Sequence, residues 1–301
     1  MSRNYLFLKT FAPDLERVSL LCESVEKYNI ENIPLVVAVP GKDFEVFKKS
    51  LPEWVGLMAE EDIACFSINK RLPGWREQQL IKFMFGVSPG VDKYLVLDSD
   101  CQFIRDFSDF DLFGESSEIP LVLTERYYRY SKGNDFSLSV ALGEIVPSAM
   151  DKEKVNFYFD GMFQIDRSLI GNKDVLSKKP TEVGGLINLS FGRKDSSKVF
   201  FMPTPIVWSS AVVSHMWRFL RGEGLSFSDM LLYSPWEAIW YGHWALSNFR
   251  DKVKAIEPIS IHFSSDEDIV DARNRGVTKE TLSKNFIAIT LAARHQKELV
   301  F

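Results

Sequence analysis

The sequence predicts an α/β protein with a mostly parallel central sheet flanked by helices. About the first hundred residues alternate short β-rich runs with longer segments of helical periodicity, and parallel strands require such crossover helices. An acidic pair, Asp98 and Asp100, follows the most strand-like run. In open α/β sheets ligands bind beyond the carboxyl ends of the strands. The acidic pair is therefore where we expect a ligand site.

The elements of this first part alternate in order along the chain. Each predicted strand is a short apolar run, and each predicted helix separates two such runs, which is the pattern of βαβ units. The predicted strands are YLFLK (5–9), PLVVAV (34–39), IACFSI (63–68) and YLVLD (94–98), and the helices begin near Pro13, Lys42 and Trp75.

The composition changes from about Glu125, where the aromatic and polar stretch TERYYRYSKGNDFS begins. Helices are predicted over 209–220, ended by Gly222 and Gly224, and over 234–248. The strand-like segment AIEPISIHF (255–263) follows, and residues 279–301 have the pattern of an amphipathic helix. We therefore expect a second, less regular subregion and a C-terminal helix.

Composition excludes some classes of partner and location. The chain has 301 residues, 46% of them hydrophobic, and a net charge of −5 with scattered basic residues, which provides no electrostatic track for a nucleic acid. Its three cysteines, Cys22, Cys65 and Cys101, are odd in number and far apart, which favours a reduced compartment. We predict a cytoplasmic protein, and peripheral contact of the last helix with a membrane stays open.

Two carboxylates one residue apart interrupt the run KYLVLDSDCQFI, residues 93–104. Such a pair is repulsive unless a proton, a basic residue or a metal ion lies between the two groups. The residues alone leave three interpretations open: a divalent cation held for a diphosphate, an aspartyl nucleophile with its acid/base partner, and a simple turn. Mg²⁺ and Mn²⁺ prefer carboxylate oxygens and bridge readily to phosphate oxygens.

The segment LPGWREQQLIKFMFG (72–86) predicts a helix with two unlike faces. At about 100° per residue, four apolar side chains share one face, while Gln78, Gln79 and Lys82 share the other. Lys82 with Arg76 or Arg71 could approach a diphosphate, and the two amides could bind a nucleobase edge or sugar hydroxyls. The alternative is a solvated helix face.

These motifs resemble a known family when they are taken in order. A strand followed by D-S-D, preceded by GWREQQLIK and by KTFAPDLERV, resembles a bacterial family of sugar-nucleotide-dependent glycosyltransferases with the GT-A fold, over residues 5–262. FDGMFQID, Phe159 to Asp166, is similar to the F-N-x-G-x-M stretch of retaining GT-A enzymes related to glycogenin, with Asp160 where Asn is usual.

The resemblance implies that three segments of the chain have different roles. Residues 1–125 would be a nucleotide-sugar-binding half, 126–265 the acceptor-binding and catalytic half of the same domain, and 266–301 a helical tail. It also implies a divalent cation, Mn²⁺ or Mg²⁺, held by Asp98, Asp100 and the late His262, with the diphosphate supplying the other ligands. Ser99, between the two carboxylates, would join the donor-binding set. If neutral His262 binds metal, donor binding should weaken below about pH 6.5.

Glu237 has a catalytic and a structural interpretation. It lies in SPWEAIWYG, where related folds carry an acidic residue beside the reacting sugar, as a base for the acceptor hydroxyl or to stabilise positive charge. Ser234, Pro235 and Glu237 also form an S-x-x-E capping box with Pro at the first helical position. Asp160 is the rival catalytic carboxylate.

The aromatic residues also have two interpretations each. Tyr127, Tyr128 and Tyr130, with Arg126 and Arg129, could form an acceptor platform or a surface loop. Five tryptophans at helical spacings favour core packing over carbohydrate binding. They are Trp208, Trp217, Trp236, Trp240 and Trp244.

The predicted function is a metal-dependent glycosyltransferase of hexosyltransferase type. It would move a sugar from a nucleoside diphosphate to a hydroxyl of a bacterial surface glycan or glycolipid. The alternatives are a haloacid-dehalogenase-like phosphatase with Asp98 as nucleophile, and a non-catalytic module that binds a nucleotide sugar or a glycan.

Overall fold

The protein is described here by a computed structural model that covers residues 3–64, 72, 75–155, 163–174, 186–192, 200–201 and 204–291. Strands and helices alternate in the first part of the chain, as the sequence predicts. The strands are β1 (Arg3–Lys9), β2 (Leu35–Val39), β3 (Gly56–Ala59), β4 (Val91–Leu97), β5 (Cys101–Phe103), β6 (Ile119–Thr124), β7 (Arg129–Tyr130), β8 (Phe200–Phe201), β9 (Ile206–Ser209), β10 (Val253–Ile256), β11 (Ser260–Phe263) and β12 (Ala288–Leu291).

The helices in the described ranges cover these strands and carry part of the site. They are α1 (Leu15–Tyr28), α2 (Phe44–Ser50), α3 (Glu60–Ala64), α4 (Arg76–Gly86), α5 (Asp109–Phe113), α6 (Asp135–Ala141), α7 (Ser210–Gly222), α8 (Phe227–Tyr233), α9 (Glu237–Phe249), α10 (Asp266–Asn274) and α11 (Lys279–Ser283). Among the described helices, none is both long and apolar enough to cross a bilayer.

The principal sheet has the strand order β3-β2-β1-β4-β9. The first four strands run parallel, and β9 pairs antiparallel with β4. Leu6 and Leu8 of β1 pack into one buried cluster and Phe7 packs into another, so both faces of this strand are covered. Burial on both faces explains why these strands are nearly continuous apolar runs. The predicted α/β class with a mostly parallel sheet is confirmed.

The third predicted strand is wrong where the structure describes it. Ile63 of the run IACFSI lies in α3, and the strand that extends the sheet is β3, which precedes this helix. Residues 65–68 lie outside the described part. A short apolar run does not distinguish a strand from a buried helix by periodicity alone.

Two smaller sheets complete the body. One has the order β10-β6-β8, and the other has the order β5-β12-β11-β7. The predicted segment AIEPISIHF divides between them, since β10 ends at Ile256 and β11 begins at Ser260. Pro258 lies in the gap, and proline cannot donate to a strand ladder.

The predicted C-terminal helix over 279–301 is also wrong in its described part. Helix α11 ends at Ser283, and β12 follows at Ala288–Leu291, paired with β11 on one side and β5 on the other. The β-branched and apolar residues of β12 are buried, so tertiary burial determines the conformation here. Residues 292–301 lie outside the described part, and the division of the chain at residues 125 and 265 stays a prediction.

Candidate functional site

A pocket of about 680 Å³ lies at the carboxyl end of the parallel strands. Leu8 of β1 is in register with Leu97 of β4, so these two strands end side by side at the pocket. The pocket brings together seven of the predicted site residues. They are Gln78, Gln79, Lys82, Asp98, Ser99, Asp100 and Glu237.

Lys82 is a buried cation in the wall of this pocket. Its side chain is only 2% exposed, and its Nζ lies 2.9 Å from Asp98 Oδ1 and 3.4 Å from Glu237 Oε1. Burial disfavours the charged form, but the two carboxylates more than offset this effect and raise the pKa of Lys82. The lysine is therefore an ammonium ion at neutral pH, and it links two carboxylates that are distant in sequence.

Asp98 has both of its carboxylate oxygens in contact with protein donors. Lys82 donates to Oδ1, and the Thr204 hydroxyl donates to Oδ2. Val96 is in register with Ile206 of antiparallel β9, and continuing that register by two residues places Thr204 opposite Asp98. Burial would raise the pKa of Asp98, but Lys82 and Thr204 together lower it. Asp98 is thus the ionised member of the acidic pair.

Asp100 has the opposite character. Burial, together with the charge of Asp98, raises the pKa of Asp100 to about 7. Its Oδ1 is buried and accepts no hydrogen bond from the described residues. A buried carboxylate oxygen without a donor is costly, so this atom is a natural ligand for a cation or a proton.

His262 is brought to this region by the sheet β5-β12-β11-β7. Its register partner is Thr290 of β12, whose own partner is Cys101, the residue after Asp100. Two strand spacings put the backbones of His262 and Cys101 about 10 Å apart. His262 packs against Tyr127 of the pocket wall, with 5.4 Å between ring centroids. Its Nε2 is buried and has no hydrogen-bond partner among the described residues.

The expected loss of donor binding below about pH 6.5 needs revision. Burial lowers the pKa of His262 to about 4, an effect that the nearby Asp98 opposes and Arg129 reinforces. The ring is therefore neutral over the whole ordinary pH range. The group whose protonation changes towards neutral pH is Asp100, because its pKa is raised to about 7.

The donor set suits a divalent cation in part. Among the described residues, no group of three His, Cys, Asp or Glu side chains is arranged to hold a metal ion by itself. The two buried atoms without partners, Asp100 Oδ1 and His262 Nε2, are nevertheless of the types that Mn²⁺ accepts. Asp98 completes the predicted set, although Lys82 and Thr204 already contact its oxygens. The residues thus fit a cation whose shell is completed by a ligand such as a diphosphate.

Glu237 is not part of the predicted capping box. Helix α9 begins at Glu237 itself, with Trp236 as the N-cap residue and no side-chain cap. Ser234 Oγ is buried without a hydrogen-bond partner in the described part of the chain. Glu237 instead lies in the pocket wall, where burial raises its pKa and Lys82 partly opposes this rise. Its carboxylate lies in the site, with Oε1 3.4 Å from Lys82 Nζ.

Helix α4 has the two predicted faces, but neither face is solvated. Leu80 and Ile81 are buried in the core cluster, and Gln79 and Lys82 are almost equally buried against the pocket. Gln79 Oε1 has no hydrogen-bond partner among the described residues. The hypothesis of a solvated helix face is therefore wrong, and the amides of Gln78 and Gln79 line the pocket.

Three predicted residues are placed differently or lie outside the described part. Arg76 Nε donates to the backbone carbonyl of Leu231 at 3.2 Å, which ties α4 to α8. We therefore correct its assignment from donor binding to helix anchoring. Arg71 and Asp160 lie outside the described residues, as does the first half of the FDGMFQID segment, residues 159–162.

The predicted tyrosine platform is reduced to one exposed ring. Tyr128 and Tyr130 are buried, whereas Tyr127 is 37% exposed and lines the pocket with Arg129. Trp208, Trp240 and Trp244 are buried, which confirms the core prediction for these three. Trp236 differs from them because it lines the pocket.

Thr204 and Trp75 are among the pocket residues that the sequence did not predict. Thr204 reaches Asp98 only through the β4–β9 register, across 106 residues of chain, and no local motif indicates this contact. Trp75 immediately precedes α4 and could have been found by extending the polar face of that helix by one turn.

Residues 6–130 match the sequence profile of a family of unknown function, DUF6492. The matched part contains Lys82 and the acidic pair, whereas Thr204, Glu237 and His262 lie beyond it. No curated protein matches the chain.

Proposed function

We propose that this protein is a metal-dependent glycosyltransferase with a GT-A-like arrangement. It would transfer a sugar from a nucleoside diphosphate to a hydroxyl of a bacterial surface glycan or glycolipid. One observation carries the proposal: Lys82 links Asp98 to Glu237 inside a pocket at the strand ends, and Asp100 Oδ1 accepts no hydrogen bond from any described residue. A buried cation beside an uncompensated carboxylate suits a diphosphate and its metal ion.

The reaction requires stabilisation of the negative charge that develops on the departing diphosphate. The bond between the anomeric carbon and the phosphate oxygen breaks, and its electron pair leaves with the diphosphate. Lys82 has three N–H donors and contacts two carboxylates, so a third donor can reach a phosphate oxygen. The divalent cation, bound by Asp98, Asp100 and His262 with the donor, would supply further positive charge as the leaving group forms.

The reaction also requires a base beside the reacting sugar, and a carboxylate can serve as that base. The acceptor oxygen bonds to the anomeric carbon, and the proton of its hydroxyl passes to a base. Glu237 lies in the pocket wall 3.4 Å from Lys82, and burial raises its pKa towards the range useful for accepting that proton. Lys82 thus connects the leaving-group side of the pocket to the base.

A thermal-shift screen of nucleoside diphosphates and nucleotide sugars, with and without Mn²⁺, tests this proposal first. A ligand that binds only the folded protein raises its melting temperature by mass action. We expect at least one nucleotide to shift the wild-type protein when Mn²⁺ is present, and Asp100→Asn to abolish that shift. Asp251→Asn, in a separate cavity beside Lys252, is the matched control and should respond as wild type.

Turnover then separates the three candidate functions. Slow hydrolysis of the stabilising nucleotide sugar supports a transferase, whereas binding without any turnover supports a passive binding module. Hydrolysis of an aryl phosphate that is lost in Asp98→Asn would replace the proposal with the phosphatase hypothesis.

A further inference from the structure

Two tryptophans form the outer rim of the pocket. Trp75 and Trp236 both line it, with ring centroids 5.9 Å apart and ring planes at 68°. Trp75 is 36% exposed, and Ile239 lies in the same wall. An exposed aromatic face in the wall of a pocket is available to a ligand.

Helix α4 runs along the pocket from the tryptophan rim to the charged end at Lys82. Trp75, Gln79 and Lys82 are separated by four and seven residues, so they share one helical face. At 1.5 Å per residue, the backbones of Trp75 and Lys82 are about 10 Å apart along the axis. That length leaves room for a sugar ring between the diphosphate site and the tryptophans.

Gln79 provides a buried hydrogen-bond acceptor beside this apolar rim. Its side chain lines the pocket, more than nine-tenths buried, and its Oε1 has no donor among the described residues. A buried amide oxygen of this kind is stabilised when a ligand donates a hydrogen bond to it. A ligand that satisfies both features needs an apolar face and a hydroxyl donor.

The rim is held in place by contacts beneath it. Arg76, next to Trp75, donates to the carbonyl of Leu231 at 3.2 Å. Trp240 Nε1 donates to the carbonyl of Ser234 at 2.8 Å and fixes the turn that carries Trp236. Trp236 directly precedes Glu237, so the rim adjoins the proposed base.

We propose that Trp75 and Trp236 bind a pyranose ring of the acceptor, with Gln79 Oε1 accepting a hydrogen bond from one of its hydroxyls. This inference rests on the proposed function and specifies a carbohydrate at the acceptor end. The apolar C–H face of a pyranose matches an aromatic face, and its edge carries the hydroxyl donor that Gln79 lacks. A lipid chain has no such hydroxyl donor.

Saturation-transfer NMR with methyl hexopyranosides on the full chain tests the inference. We expect saturation of the sugar ring protons in the wild-type protein, and affinity about fivefold weaker or more in Trp75→Ala. Trp75→Phe keeps an aromatic face and should retain most of the binding. Trp54→Ala removes a tryptophan of similar exposure, 41%, that lies outside this pocket, and it should bind as wild type.

Gln79→Leu provides a second variant that keeps the side-chain bulk but removes the amide oxygen. We expect it to weaken methyl glycosides while leaving a weakly bound methoxycyclohexane probe, which has no hydroxyl donor, unchanged. Transfer assays should show a higher KM for a sugar acceptor in Trp75→Ala, with a smaller change in kcat.

Several results would overturn the inference. They are the absence of glycoside signals in the wild-type protein, equal glycoside affinity in Trp75→Ala, and loss of free nucleoside binding in that variant in place of glycoside binding. Binding of methoxycyclohexane as tight as that of the glycosides would instead indicate an apolar acceptor. Nucleoside diphosphate binding by the wild-type protein, measured in parallel, reports on the proposed function separately from these results.

Discussion

The inner and outer ends of the pocket use opposite kinds of side chain. At the inner end, Lys82 contacts Asp98 and Glu237, and the side chains of Lys82 and Glu237 are buried away from bulk water. At the outer end, Trp75 and Tyr127 present partly exposed rings. Charges interact most strongly where water is excluded, whereas aromatic faces contribute through area and shape. We therefore expect inner variants to affect chemistry and folding, and outer variants to affect ligand choice.

The largest expected effect concerns Glu237 at the inner end. Glu237→Gln should reduce sugar transfer about 10²- to 10⁴-fold, because an amide cannot accept the proton of the acceptor hydroxyl. Donor binding should change little, whereas the melting temperature should fall by less than in a variant without Lys82, because Lys82 keeps its contact with Asp98 when Glu237 is lost. Steady-state transfer with titration of the donor measures activity and donor binding, and thermal unfolding measures the melting temperature.

Glu223→Gln, an exposed carboxylate at the end of α7, is the control and should transfer as wild type. A fully active Glu237→Gln enzyme would remove Glu237 from the chemistry and would make Asp160 the next residue to test.

Lys82→Met should produce the largest loss of stability. The substitution removes the cation and leaves Asp98 and Glu237 without it, which costs about 3 kcal/mol for a buried pair. We use the lower end of the usual range because the Asp98 side chain is 41% exposed. Urea unfolding should show a lower midpoint with an unchanged slope.

Two further variants sharpen this result. Lys254→Met, which removes an exposed ion pair with Glu118, should leave the midpoint close to wild type. Adding Glu237→Gln to Lys82→Met should recover part of the loss, because one of the stranded charges is then gone. Wild-type stability in Lys82→Met would contradict a buried charge cluster.

The acidic pair should make stability depend on pH in a specific direction. The pKa of Asp100 rises from an ordinary value of 3.8 to about 7 in the folded protein. Between these values the native state binds a proton that the unfolded chain does not, so this group's contribution to stability is lost as pH rises. His262 acts in the opposite direction, because its lowered pKa of about 4 makes the unfolded chain the better proton binder below pH 6.5.

Comparing the stability of Asp100→Asn with that of the wild-type protein isolates the contribution of Asp100 to the pH dependence. The free energy of unfolding of Asp100→Asn, minus that of wild type, should increase from pH 4 to pH 7. At pH 8, Mn²⁺ should stabilise the wild-type protein but not the variant, since metal requires the ionised carboxylate. A constant difference across this pH range would contradict the assignment of the raised pKa to Asp100.

The smallest expected effect concerns Thr204, which orients Asp98. Thr204→Val keeps the shape and removes a hydrogen bond to a charged group, which should lower stability by about 1.5 kcal/mol. Thr204→Ser retains the hydroxyl and should be close to wild type. Equal urea midpoints for the valine variant and wild type would show that Thr204 does not hold Asp98.

The regular part of the fold could be predicted because its signals are local. Strands β1, β2 and β4 are apolar runs buried on both faces, and α4 has apolar and polar sides at helical spacing. Strand β12 was missed because its conformation depends on pairing with β5 and β11, which are distant in sequence. Long-range pairing leaves no periodic pattern in the segment that undergoes it.

In the site too, contacts that depend on long-range pairing could not be predicted from the sequence. The acidic pair and Lys82 could be predicted from their strand and helix, and the structure places Lys82 Nζ 2.9 Å from Asp98 Oδ1. The contact of Thr204 with Asp98 depends on sheet register, and the raised pKa of Asp100 depends on burial. The capping motif at Ser234 was misleading because Pro235 and Trp236 precede a helix that begins two residues after Pro235.

Isothermal titration of the five common nucleoside diphosphates, with Mn²⁺, into wild-type protein and Asp100→Asn tests the central claim most directly. We predict that one nucleoside diphosphate binds the wild-type protein in the presence of Mn²⁺, and that its affinity falls at least about tenfold in Asp100→Asn. Wild-type protein that binds none of the five, or Asp100→Asn protein that binds with undiminished affinity, would contradict a nucleotide-sugar site built on the acidic pair.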